Sequence, residues 1–166
     1  MKFFYLLFSI LIIQVSCKES SEVQFKKNGY SFTCPEGWSI SKEIGNHKAG
    51  AIKIVKDGYI YTPYILINDW NKNIDIDTLI KFYRTEIGNN IIFKLTNVEV
   101  GKVYDAQYGE KPAKSFDFTT SVGNTQIHGK IFIFYSGDKT FAVSEYKYHR
   151  NDVLGFKKIE QTLKTE

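Results

Sequence analysis

Asp69, Asn71, Asn73 and Asp75 put a side-chain oxygen at every second position of the run Asp69-Trp70-Asn71-Lys72-Asn73-Ile74-Asp75-Ile76-Asp77. Hard oxygens in close series suit calcium. An EF-hand loop counted from Asp69 needs Gly at its sixth place and Glu at its twelfth, where this chain has Ile74 and Ile80. Two readings stand for the run. It is a weak calcium site outside the EF-hand class, or a polar turn whose aspartate caps the helix that follows; the second is the commoner use of these residue types. Trp70 lies within the same run. An aromatic on a loop is a candidate anchor for a protein or small-molecule partner, and the competing reading folds it back onto the domain.

The other chemistry-bearing residues are sparse. His47, His128 and His149 are the only histidines and form no H-x-x-x-H pair. Glu145 precedes His149 by four residues, which on a strand is about 13 Å, too far to share one metal. No G-x-S-x-G elbow, phosphate loop or dinucleotide fingerprint occurs, and no cofactor is expected. Ser136-Gly137-Asp138-Lys139 is ordinary hairpin-turn chemistry. Glu145 and Lys147 share one strand face, where solvated cross-strand charges are commoner than an acid–base pair. Cys34 alternates onto the face of Tyr30 and Phe32, so a small buried hydrophobe is expected rather than a reactive thiol.

The elements that must position these residues follow from local pattern. Asn28-Gly29 between Val23-Gln24-Phe25 and Tyr30-Ser31-Phe32 predicts a hairpin. Pro35-Glu36-Gly37 breaks the chain, and Trp38 and Ile40 follow on one face, expected in the core. Strands are predicted at 51–55 and 61–67, with Pro63 at an edge or a strand start. Residues 68–75 are expected to form a polar loop. Asp75 or Asp77 caps a helix to about Ile87, with Ile76, Leu79, Ile80, Tyr83 and Ile87 as its apolar stripe and Gly88 as its stop. Residues 91–103 are β-rich, and strands follow at 113–120, 125–135 and 140–148. Ile131 and Ile133 alternate with Phe132 and Phe134, so this strand is apolar on both faces and belongs at the centre of a covered sheet. A last helix spans about 151–164 through Val153, Phe156, Ile159 and Leu163, with Gly155 a weak point in its first turn. Strands that mostly follow one another, with two helices, argue for an α+β domain with an antiparallel β-sheet flanked by helices.

The N-terminus carries its own signal. Met1-Lys2 is followed by an apolar run, Phe3 to Val15, too short to span a membrane comfortably. Ser16-Cys17 and the polar stretch Lys18 to Glu22 come next. This order resembles the bacterial lipoprotein signal, with a departure at Gln14 where that family has Leu. The resemblance implies that residues 1–16 are a signal peptide, that Cys17 is alkylated with diacylglycerol, and that 17–22 form a lipidated tether. It also implies a membrane-bound protein of the bacterial cell envelope, expected at the outer membrane. Removing 16 of 166 residues leaves 150, with 21 basic against 18 acidic side chains. That suits one domain, residues 23–166, and a charge too mild and too scattered for nucleic acid binding.

The stretch Gly29-Tyr30-Ser31-Phe32-Thr33-Cys34-Pro35-Glu36-Gly37-Trp38 resembles the G-Y-x-F-x-x-P-x-G-W opening of PsbP-like (Mog-type, DcrB-like) domains. The resemblance implies a three-layer sandwich and a binding or accessory role; it transfers no catalytic residue. Three functions are therefore weighed. The leading one is a non-enzymatic envelope lipoprotein that binds an unidentified protein or small molecule. The others are an envelope hydrolase or other enzyme with a site assembled from distant residues, and a structural subunit of an envelope complex. A deep pocket with convergent polar groups would favour the enzyme.

Overall fold

The structure, a computed structural model, describes residues 22–165 apart from 28, 47, 59–61, 89–95 and 149–152. Residues 1–21 with the expected lipidation site Cys17, and also His47 and His149, lie outside the described residues, as does the first part of the β-rich reading at 91–103.

The chain opens with the hairpin β1 (Val23–Lys27) and β2 (Tyr30–Cys34), in register from Lys27 opposite Tyr30 to Val23 opposite Cys34. A turn closed by Trp38 N–H to the Pro35 carbonyl at 3.1 Å leads into β3 (Trp38–Gly45). Then come β4 (Ala49–Lys56), β5 (Tyr64–Trp70) and helix α1 (Ile76–Gly88). β6 (Thr96–Val100) and β7 (Tyr104–Tyr108) both pair with the outer side of the long β8 (Lys111–Val122). β9 (Thr125–Ser136), β10 (Lys139–Lys147), helix α2 (Val153–Thr162) and the short β11 (Lys164–Thr165) complete the fold.

The large sheet runs β3-β4-β5-β10-β9-β8-β6, with β7 also on β8, and every pairing is antiparallel. β9 is central, as its two apolar faces require. On one face Phe132 and Phe134 join Tyr30, Phe32, Phe141 and, from α2, Phe156 and Ile159. On the other, Ile131 and Ile133 meet Leu79, Ile80, Tyr83 and Ile87 of α1. The layers are thus α1, the large sheet, and α2 with the small sheet β1-β2-β11. Each fully buried Phe or Ile contributes about 1.5–3 kcal/mol of transfer free energy, which is why both faces must be covered.

Three expectations are corrected. Residues 68–70 are not loop: Asn68, Asp69 and Trp70 complete β5, paired with Ala142, Phe141 and Thr140 on one side and with Ala51, Gly50 and Ala49 on the other. Their polar side chains hide a strand whose backbone is saturated from both neighbours. The sequence reading also misses β7, although Tyr104, Ala106 and Tyr108 alternate with Asp105 and Gln107 at strand period, with Ala106 and Tyr108 turned inward. α2 ends at Thr162 rather than Lys164, because Lys164 and Thr165 leave the helix to pair with Ser31 and Tyr30. Pro63 stands just before β5, an inner strand, so it marks a strand start and not an edge.

Candidate functional site

The polar run singled out by sequence is not brought together. Asp69 is 1% exposed, on the sheet face that holds Tyr30 and Phe141. Burial raises its carboxyl above the usual range, against the opposing pull of Lys139 and Tyr30. The Tyr30 hydroxyl is directed to this carboxylate, though neither it nor Asp69 Oδ1 completes a hydrogen bond of ordinary geometry. Asp75 lies at the start of α1, which covers the opposite face. Its Oδ2 accepts from the Thr78 amide and from the Thr78 hydroxyl, both at 2.8 Å, and these bonds hold its pKa low. It is the helix cap. Asn71 and Asn73 are exposed in the turn between. That turn is pinned by its backbone: Thr140 Oγ1 donates to the Lys72 carbonyl and accepts from the Ile74 amide, and the Tyr135 hydroxyl donates to the Ile74 carbonyl. Trp70 is half-buried and packs against the α1-side core.

A different set of groups does converge. Two-residue turns at Gly123-Asn124 and Gly137-Asp138 fix the register of β8, β9 and β10. In consequence Asp117, Lys130 and Glu145 stand side by side in one row on the α2 face, and Thr119, His128 and Lys147 in the next. Lys147 Nζ reaches Glu145 Oε2 at 3.2 Å and lies 4.8 Å from the Phe156 ring centre. Lys130 Nζ sits over Phe132 at 4.5 Å and Tyr104 at 5.4 Å. The Tyr104 hydroxyl donates to Asp117 Oδ2 at 2.8 Å.

Burial is graded along this row, from the exposed Asp117 to Glu145 at 4% exposed. Glu145 is thus corrected from a solvated surface charge to a buried one. Burial raises its pKa; Lys147 pulls the other way by charge and hydrogen bond, Glu160 adds to the rise, and Lys130 opposes it. Beneath it the fully buried Tyr108 hydroxyl has no partner, and its pKa is raised by burial and then by Glu145 and Glu160. Glu160 of α2 accepts from the Gly109 amide at 3.2 Å. The arrangement is a string of matched charges laid on aromatic rings, with one buried carboxyl at its inner end. It can hold a polar ligand; it presents no activated nucleophile among the described residues. Nor do the described residues group three or more His, Cys, Asp or Glu where they could hold a metal ion. The sequence signal for this row was the pair of tight turns, since counting back from each turn puts Asp117 and Glu145 opposite Lys130.

Cys34 is 4% exposed, and its Sγ donates to the Trp38 carbonyl at 3.4 Å. Burial, with Asp57 nearby, pushes the thiol up to about 11. Trp38 is half-buried and meets Phe156 edge-on, with ring centres 5.3 Å apart. The weak point at Gly155 has a reason: a Cβ there would lie 2.4 Å from the Trp38 ring, so the indole rests on bare helix backbone.

This architecture is the PsbP-like α+β fold, with one large antiparallel sheet between α1 and the layer of α2 and the small sheet. No family model and no curated protein matches the chain. Among solved structures it is similar to cyanobacterial PsbP (CyanoP) from Synechocystis sp. PCC 6803, at a TM-score of 0.58 and 13% identity over 91% of this chain and 96% of that one. It is also similar to LpqN, involved in cell envelope biogenesis of Mycobacterium tuberculosis, at a TM-score of 0.52 and 15% identity over 88% and 91%. A protein of Bacteroides thetaiotaomicron VPI-5482 gives 0.59 and 13% over 89% of this chain; the chain spans 49%, about half, of that protein. At such identities the likeness carries the fold.

Proposed function

We propose that the chain is a lipid-anchored accessory protein of the bacterial cell envelope that acts by binding a protein or small molecule rather than by bond chemistry. The observation that carries this reading is where the folded domain starts. Glu22, five residues after Cys17, is already held to α2, its carboxylate 2.9 Å from Lys158 Nζ. A polar stretch of that length between a lipid-modified cysteine and a folded domain is a tether. The likeness to LpqN along nearly the full length of both chains supports an envelope role, and the charge-matched row from Asp117 to Glu145 supports holding a ligand over transforming one.

The test is mass spectrometry of the N-terminal peptide with fractionation of cells. Expected are loss of residues 1–16, diacylglycerol on Cys17, parent protein in the outer-membrane fraction, and a Cys17→Ala variant released from membranes. Two acyl chains on one residue anchor stably where one is marginal. An unmodified Cys17, or a Cys17→Ala variant bound as firmly as the parent, refutes the anchor. The buried Glu145, its pKa raised by burial, is the observation that would support the enzymatic alternative. A folded Glu145→Gln variant that keeps its binding partner but loses a measurable turnover would move the assignment there.

A further inference from the structure

We infer that the end of the domain next to the tether docks on the phospholipid bilayer itself, through a groove formed by Pro35, Trp38 and the first turn of α2. This rests on the anchor reading above and adds an orientation to it. The groove holds about 490 Å3, and its lining includes Glu22, Pro35, Trp38, Leu154, Gly155 and Lys158. Leu154 is 83% exposed, the most exposed large apolar side chain among the described residues. Val23 is 59% exposed and adjoins Glu22; its register partner Cys34 leads into Pro35. Trp38 is half-buried against Gly155, directly beneath this turn. Three apolar side chains, one of them an amphipathic indole, thus cluster where the tether joins. Indole rings favour the boundary between headgroups and acyl chains.

The tether selects the occupant. Five residues reach at most about 18 Å when fully extended. A folded partner of about 100 residues has a radius of gyration of about 13 Å and is wider than that gap. With Cys17 in the membrane, lipid is the surface that this end can meet. The rim charges Glu22, Glu36, Lys56 and Lys158 balance, so the contact is apolar and does not depend on anionic lipid. Tethering raises the local concentration of bilayer at the groove, so shallow insertion of Leu154 and Val23 suffices.

The experiment uses the full lipidated protein carrying Trp70→Phe, which leaves Trp38 as the sole tryptophan. It is reconstituted in phosphatidylcholine vesicles with or without lipid brominated near the top of the acyl chains. Flotation reads the anchor, and quenching of Trp38 emission reads the docking. The expected result is flotation with loss of roughly half the emission, because a side chain about 5–10 Å into the interface lies beside the bromines. Leu154→Asp, at a site mostly in solvent, should float equally and lose most of the quenching; Val23→Asp should do the same and decides the matter if Leu154→Asp misfolds. A parent that floats unquenched, or quenching untouched by both variants, overturns the docking and leaves the anchor standing. A parent that does not float overturns the anchor, and the docking with it.

Discussion

Replacing Gly129 with alanine tests the packing of the α1-side core at its tightest point. Gly129 lies in β9 between Phe118 of β8 and Tyr146 of β10. Phe118 is 2% exposed, and its ring crosses bare glycine backbone. An added Cβ would sit 1.9 Å from Phe118 Cζ, whereas ordinary contact begins at 3.4 Å. The ring must therefore withdraw by about 1.5 Å. It has little room to do so, since it packs edge-on against Tyr146 at 5.4 Å, and Tyr146 in turn stacks on Tyr64 at 4.2 Å. Forcing extra volume into such a core costs about 1–3 kcal/mol, and the size of the overlap puts Gly129→Ala in the upper half. Restricting the unfolded chain returns about 0.4–1 kcal/mol. The net expectation is a loss of about 2 kcal/mol, or roughly 4–8 °C in Tm for a domain of this size. Calorimetry of the parent, Gly129→Ala, Phe118→Leu and the double variant forms a cycle. Phe118→Leu should cost less in the alanine background than in the parent, because the clash is relieved. An unchanged or raised Tm for Gly129→Ala, or additive costs in the cycle, would refute this packing.

Two further predictions concern titratable groups. Glu145 is raised above its unfolded value by burial, so the folded protein holds the proton more tightly than the unfolded chain. Stability from this group is present below the unfolded pKa and lost as pH rises through the folded one. The free-energy difference of Glu145→Gln minus parent, from urea melts across that window, should therefore grow with pH and then level off; a gap that is flat or shrinks would refute the burial argument. Cys34, buried with its thiol at about 11, should react with dithionitrobenzoate in a Cys17→Ser background only as fast as the domain opens. Rapid labelling of the native protein would show an accessible thiolate.

The failures of sequence reading share one cause. Alternation in 131–134 exposed the central strand because both of its faces are covered, and a two-sided apolar strand has few other homes. The helix stripe of α1 and the cap at Asp75 are local, so local pattern disclosed them. Asp69 deceived because its polarity is answered by Tyr30, thirty-nine positions earlier in the chain, and by backbone pairing with β4 and β10. β7 escaped because it is only five residues long and what makes it a strand is its pairing with β8.

By itself, the sequence determined the α+β class, the two helices, the central place of β9 and the burial of Cys34. Each depends on residues within a few positions of one another, where period, turn chemistry and capping act. Tertiary structure alone decided that the oxygens of the run from Asp69 to Asp75 part to opposite faces of the sheet. It alone buried Glu145 beside Lys147 over Tyr108, laid Trp38 on Gly155, and gathered Val23, Trp38 and Leu154 at one end. These are contacts between residues far apart in the chain, and their energies appear only when the sheet and its covering layers have closed.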